Sequence, residues 1–330
     1  MSVKTLPDAP EAQRARTGFS PRGIPHSGLM AVLVIVVVAT ALQTDSFTTD
    51  TNIINILRQV SINAVIAAGL TLLMTAGGMD FSMGSIVVVT AAVAAQMLAH
   101  GWSTWLTVVA AIVLGTLIGL VNGVVATFTT VAPFVVTLAT ATLLDGVCLL
   151  VLDGQTVSIG TRMFALGNEK VAGVPYLLIV AVLVMVATAL VMRFTVFGRD
   201  AFAIGGNEHV ARLSGINVPA RKLTLYATTG ALAGLAGLMT LSRLGSSSPG
   251  AGGLAIQLTA VAAVVIGGTS LAGGHGTIIG TALGVILLGV VANALNLVQI
   301  SANWQPVSVG AVLLIAAVAN EMQKARSARH

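Results

Sequence analysis

Charge is what this 330-residue chain has least of: only 8% of its residues are Asp, Glu, Lys or Arg, against about 25% in ordinary soluble domains. It also has a single cysteine, Cys148, which excludes an internal disulfide and a cysteine-built metal cluster. Cys148 lies in an apolar run, where its ordinary role is that of a small buried hydrophobe. The five histidines (His26, His100, His209, His275, His330) are far apart and form neither HxxxH nor HExxH, so no metal site is expected. A GxxxxGK[ST] phosphate cradle is missing, and so is any Ser/His/Asp or Cys/His set with workable spacing. An enzyme and a bound cofactor are therefore not expected.

What the chain does have is apolar residues, at 56% of the total and a mean hydropathy of +0.96. A soluble fold of this size could not hide so much apolar surface, so lipid must be the solvent for much of it. The apolar runs are continuous, as in Tyr176 to Met192. Membrane β-strands would alternate, and only helices satisfy their own backbone over such runs. The expected fold is all-α, a polytopic membrane bundle of about ten helices. The segments are Gly28–Gln43, Arg58–Ala76, Met83–Ala99, Thr104–Phe128, Phe134–Leu152, Tyr176–Met192, Leu223–Ser242, Leu254–Gly267, Gly276–Gln299 and Pro306–Asn320.

With a cytoplasmic N-terminus and ten crossings, twelve of the sixteen basic residues fall on the cytoplasmic side. Only Arg58, Arg162, Lys170 and Arg243 fall outside. That bias obeys the positive-inside rule, and it accounts for the net charge of +5 without nucleic acid. Trp102, Trp105 and Trp304 all fall at outer ends, as an interfacial belt requires. Ala39–Thr40–Ala41 resembles a signal-peptidase site, but the basic region before the first segment is long, so a retained span is expected. The expected organisation is a disordered basic cytoplasmic N-terminus (1–27), a membrane domain (28–320) with a cytoplasmic loop at 193–222, and a cytoplasmic tail (321–330).

Two glycine-rich breaks interrupt the spans. Gly77-Gly78-Met79-Asp80-Phe81-Ser82-Met83-Gly84 follows the second, and Gly267-Gly268-Thr269-Ser270-Leu271-Ala272-Gly273-Gly274 follows the eighth. Their shared pattern and matching places suggest a parallel internal repeat. Interrupted segments at matching places point to a transport path, although two tight turns would also explain them. Polar residues within apolar runs are the other path candidates: Asn63, Asp80, Asn122, Asp145, Asn293 and Asn296. An intramembrane carboxylate such as Asp145 needs a cavity or a partner. Asparagines there more commonly bond helices to each other than contact a solute.

The 193–222 loop carries the most specific pattern. Asn207 can cap a short helix with Val210, Leu213 and Ala211 on its apolar face, and Gly215 can end it in a left-handed turn. Such a helix suits docking into another protein's groove.

Six ordered motifs carry a family resemblance. They are Gly77–Ser85, Asn122-Gly123, Pro133–Leu138, Phe197-Gly198-Arg199, the pair Ala203–Glu208 and Arg212–Ile216, and Val264–Gly274. Together they resemble the ribose-type permeases of bacterial ABC importers, in the group that also holds branched-chain amino-acid permeases. The resemblance implies two permease copies, or two paralogues, around one path in the inner membrane. It also implies a cytoplasmic ABC ATPase and an extracytoplasmic solute-binding protein as partners, and a sugar or polyol as solute. The helix from Asn207 to Gly215 would be the coupling helix, with Glu208 and Arg212 as its polar contacts, and Leu213 would belong to the same surface. Many relatives have a basic residue where this chain has Asp145. The alternatives are an ion-coupled carrier using Asp145 and a branched-chain amino-acid permease of the same architecture.

Overall fold

The computed structural model describes residues 26–250 and 253–299, with positions 304, 307 and 310 beyond them. The expected N-terminal segment up to residue 25, most of the tenth apolar segment and the tail after 320 lie outside the described residues. Within them the chain is helical, with only two two-residue strand pairs.

Nine helices coincide with the first nine apolar segments. They are α1 (His26–Gln43), α2 (Asp50–Thr75), α3 (Met83–Ala99), α4 (Thr104–Phe128), α5 (Pro133–Leu152), α7 (Tyr176–Phe194), α10 (Val218–Leu244), α11 (Gly253–Ile266) and α12 (Ile278–Leu297). Three short helices lie between them: α6 (Phe164–Asn168), α8 (Val196–Gly206) and α9 (Glu208–Leu213). Six helices (α2, α4, α5, α7, α10 and α12) are long and apolar enough to cross a bilayer. The other three apolar helices are shorter. Helix α11, at 14 residues, rises only about 21 Å against a hydrocarbon core of about 30 Å.

Helix α2 is the axis of the bundle. Val65, Ile66, Ala67, Ala68 and Leu70 are almost fully buried on successive faces, because α7, α10, α11 and α12 all pack on it. The tightest pairing is α4 with α10. A Cβ on Gly115 would overlap the Gly230 carbonyl, one on Gly119 would overlap the Tyr226 carbonyl, and one on Gly234 would stand 2.6 Å from the Ala111 carbonyl. Here the two GxxxG motifs allow backbone to lie on backbone. Elsewhere α4, α5 and α7 expose rows of large apolar side chains, among them Leu117, Val121, Leu138, Leu183 and Leu190. Lipid or another protein must cover these rows.

The bundle has two distinct ends. At one, the turns after α2 and α11 meet α8. At the other, the strand pairs join Val157–Ser158 to Ser246–Ser247 and Lys170–Val171 to Val174–Pro175. Trp102 and Trp105, both exposed, belong to this second end, where the Arg162 guanidinium donates to the Trp102 carbonyl at 3.2 Å.

Candidate functional site

Two parts of the molecule could act on other molecules: the α8–α9 surface at the glycine end, and the polar groups set among the spans.

Helix α9 forms where the sequence places it. The Asn207 side-chain oxygen accepts from the Val210 N–H at 3.1 Å, closing the first turn. Gly215 takes φ +85° just past the other end, its N–H reaching the Arg212 carbonyl at 3.1 Å. Ala211 is buried with Ile204 and Val218, so α9 sits on its small side chain. Val210 and Leu213 therefore face out, Leu213 with 76% of its surface exposed. Glu208 is engaged within the loop, paired with Arg212 at 3.1 Å and with Lys222 at 2.7 Å. The hydrogen bond from Lys222 is the main cause holding its carboxyl below the usual glutamate range, with Arg212 adding to it. Arg221 binds Asp200 at 2.6 Å. Helices α8, α9 and the first turns of α10 are thus tied into one unit by charge-assisted bonds.

That unit rests on both glycine breaks. Helix α2 ends with Gly77 at φ +76° and a bond from the Gly78 N–H to the Leu73 carbonyl at 3.0 Å. Helix α11 ends the same way, with Gly268 at φ +89° and the Thr269 N–H on the Val264 carbonyl at 3.1 Å. Both are Schellman caps. They equate Gly77 with Gly268, one residue off the register of the shared sequence pattern, which aligned Gly77 with Gly267. The breaks then touch. The Gly274 N–H donates to the Thr75 carbonyl at 2.9 Å, and a Cβ on Gly273 would stand 2.8 Å from the Gly77 nitrogen and 2.9 Å from the Gly205 Cα. Gly84 and Gly267 lie at helix contacts, where their Cβ atoms would overlap the backbones of Gly253 and Gly280.

The sequence-selected polar residues divide. Asp80, 2% exposed, is part of a buried network. Its Oδ1 accepts from the Ser82 N–H (2.7 Å) and hydroxyl (2.6 Å). The Asn122 amide donates to the Ser82 oxygen at 2.8 Å, and the Thr140 hydroxyl donates to the Asn122 Oδ1 at 2.7 Å. Gln257 clamps the same turn, its amide on the Asp80 carbonyl (2.7 Å) and its oxygen on the Gly84 N–H (3.0 Å). Tyr226 donates to the Met79 carbonyl at 3.0 Å, and the Phe81 N–H binds Thr137 at 3.0 Å. The first break is thereby fixed to α4, α5, α10 and α11. Sequence reading missed Ser82, Thr137, Thr140, Tyr226 and Gln257. Their one signal was polarity within or beside apolar runs, which does not say what they bond.

Asn293 is also satisfied. It exchanges two amide hydrogen bonds with Asn52, at 2.7 and 3.0 Å, and so joins α12 to the first turn of α2. Asn296, one turn on, is exposed. Asn63 is half-buried on α2 and has no hydrogen-bond partner among the described residues. Asp145 is exposed on α5 and pairs with no cation among the described residues. A carboxylate at the centre of a lipid-facing helix costs about 2.5–3.5 kcal/mol on insertion scales. Water or protein over this face of α5 would remove that cost.

No group of three His, Cys, Asp or Glu side chains that could hold a metal ion occurs among the described residues.

Residues 52–317 match the family described as branched-chain amino acid transport system / permease component. The ribose import permease protein RbsC of Haemophilus influenzae is 38% identical over 302 residues, covering 90% of this chain and 93% of that protein. RbsC of Bacillus subtilis is 40% identical, covering 91% and 93%. The xylose transport system permease protein XylH of Escherichia coli is 31% identical, covering 94% and 96%. Among solved structures, an inward-facing ABC transporter described as of metal-chelate type matches with a TM-score of 0.51. It is 17% identical and covers 88% of this chain and 97% of that one, a likeness of fold alone.

Proposed function

Since the chain belongs to the family of branched-chain amino acid transport system permease components, we propose that it is the membrane-spanning permease subunit of an ATP-driven importer for a sugar. The family description mentions branched-chain amino acids. The ribose and xylose permeases, at 31–40% identity over nearly the whole chain, favour a pentose, hexose or related polyol instead.

The observation that carries the reading is α9. It is a short capped helix whose large apolar side chains, Val210 and Leu213, point away from their own protein. Exposed apolar groups on a braced helix fit the groove of a partner. That partner is a separate ABC ATPase subunit, which supplies the ATP hydrolysis. Glu208 and Arg212 brace the helix through their own ion pairs and border the docking face. The glycine end then faces the cytoplasm, in keeping with the basic residues of the 193–222 loop. The tryptophan-bearing end faces outward and receives a solute-binding protein. A second copy, or a paralogue, covers the exposed α5 face and completes the path.

The mechanism is alternating access. Closure of the ATPase dimer displaces α9. Because α8, α9 and α10 are tied by ion pairs, the displacement reaches the glycine contact at Gly77, Gly205 and Gly273, and through it α2, α11 and α12. We assign Asp145, with Asn63 and Asn296, to the path. Asn122 and Asn293, whose bonds are already satisfied within the bundle, serve the frame, and so does Asp80, whose Oδ1 is held by Ser82 while its buried Oδ2 has no partner among the described residues. Few polar groups suffice, because a tight site in the permease would trap the solute.

The test is co-purification of the tagged chain from its own membrane in mild detergent, followed by reconstitution. Recovery of a P-loop ATPase, and sugar uptake that needs ATP and a binding protein, is the expected result. Solute movement by the chain alone would refute the importer reading and favour an ion-coupled carrier.

A further inference from the structure

Among the described residues, Asp145 is the exposed carboxylate within a span that pairs with no cation. It stands seven residues, about 10 Å, from the Leu152 end of α5. Leu138, Thr142 and Leu149 continue the same exposed stripe at helical spacing. Beside it lies a pocket of about 260 Å³ between α3, α5 and the start of α11. Its walls among the described residues are Val88, Cys148, Leu149, Gly250, Gly253, Leu254 and Asp145, and of these only Asp145 is charged.

We propose that this pocket is a water-filled chamber of the solute path and that Asp145 is its electrostatic filter, passing neutral and cationic polyols while holding back anionic ones such as sugar acids and sugar phosphates. A carboxylate only accepts hydrogen bonds, so it can receive sugar hydroxyls but not an anion. Apolar walls weaken screening and strengthen the field of a lone charge. Among the described residues, the other walls offer no cation to offset it. Naming the solute rests on the importer reading; the existence of the chamber does not.

Leu149 makes the chamber testable, since it lines the same pocket as Asp145 with 51% of its surface exposed. Cys148, the chain's one cysteine, is 2% exposed, so the probe is Leu149→Cys placed in a Cys148→Ser chain. Membrane vesicles holding the assembled importer would be treated with methanethiosulfonates carrying a trimethylammonium or a sulfonate group. The purified chain would be weighed at intervals, with each rate normalised to that on a free thiol in solution. The cationic reagent is expected to react at least tenfold faster than the anionic one, and Asp145→Asn should bring the ratio to within about threefold of unity. The ratio in the probe chain that keeps Asp145 tests the field even if the Asp145→Asn variant fails to assemble. An unchanged ratio in Asp145→Asn, or a cysteine inert to both reagents, would overturn the proposal. So would a cysteine reached only by a lipid-soluble maleimide. Labelling needs no ATP, so its failure is distinct from failure to find an ATPase or ATP-driven uptake.

Discussion

A single methyl group at Gly205 should uncouple this protein. A Cβ there would overlap the Thr75 carbonyl oxygen and stand 2.5 Å from the Gly274 nitrogen, where packed atoms want about 3.5 Å. Relief requires α8 to move by roughly 1 Å away from the ends of α2 and α11. Such overpacking costs about 1–3 kcal/mol, and because the neighbours are backbone, rotamer changes cannot absorb it. If alternating access shifts this contact, the strain weighs unequally on the two states, and each 1.4 kcal/mol of imbalance is a factor of about ten. The adjacent Gly206 supplies the control. A Cβ there meets nothing within 4 Å, so Gly206→Ala should be neutral or slightly stabilising through helix propensity. The assay is sugar uptake and ATP hydrolysis by the reconstituted importer. Gly205→Ala is expected to lower uptake at least tenfold, with ATPase recovery unchanged and basal hydrolysis within about twofold of normal. Equal uptake by the two variants would refute the claim that this contact transmits motion. Loss of the ATPase in Gly205→Ala alone would show that the contact serves assembly.

The remaining predictions address docking, framework and pH. Leu213→Asp, at a residue 76% exposed, should abolish ATPase recovery while leaving the melting temperature of the chain in detergent within a few degrees; retention of the partner would remove α9 from the interface. Asn52→Ala and Asn293→Ala should each destabilise by about 1–2 kcal/mol, and a double-mutant cycle on thermal unfolding should return a coupling near 0.6–1.7 kcal/mol. Gln257→Leu should cost more than either, since it leaves both the Asp80 carbonyl and the Gly84 N–H unpaired. Glu208 has a folded carboxyl held below its usual range. Its contribution to bracing α9 is therefore present above the ordinary glutamate pKa of about 4.3 and lost as pH falls through the lowered folded value. ATPase affinity should weaken over that acid range, and Glu208→Gln should flatten the response.

Apolar length made most of the spans legible, but the ends of helices were not. Helix α2 starts at Asp50 rather than Arg58, because Thr49 caps it and its polar first turns stand beyond the apolar run. Helix α10 starts at Val218 rather than Leu223, because Asn217 caps it and Arg221 and Lys222 are drawn in by Asp200 and Glu208. Helix α8 was hidden because Gly198, Gly205 and Gly206 look like loop residues. Gly198 is instead a contact, pressed on the α7 backbone at Met192. The α9 cap was readable since all its parts are local. The Asp80 network was not, because Gln257 is 177 residues away in sequence from the carbonyl it binds.

Polarity inside an apolar segment thus has two opposite meanings that only partners distinguish. Asn122 and Asn293 interrupt apolar runs much as Asp145 does, yet their hydrogen-bonding groups are occupied by Ser82, Thr140 and Asn52. A group already satisfied gains nothing from a passing solute, and breaking its bonds would orphan buried atoms at about 1–3 kcal/mol each. Such groups fix the frame. Asp145 pairs with no such partner among the described residues. The same reasoning explains the two kinds of glycine. At Gly115 and Gly230 absent side chains lock two long helices together. At Gly77, Gly205 and Gly273 they let two turns and the end of α8 meet through backbone alone, a surface without interdigitating side chains to resist sliding. A frame held by such polar bonds and moved through a smooth glycine contact can change state as a rigid body, and on the proposed reading Asp145 stays in the path while it does so.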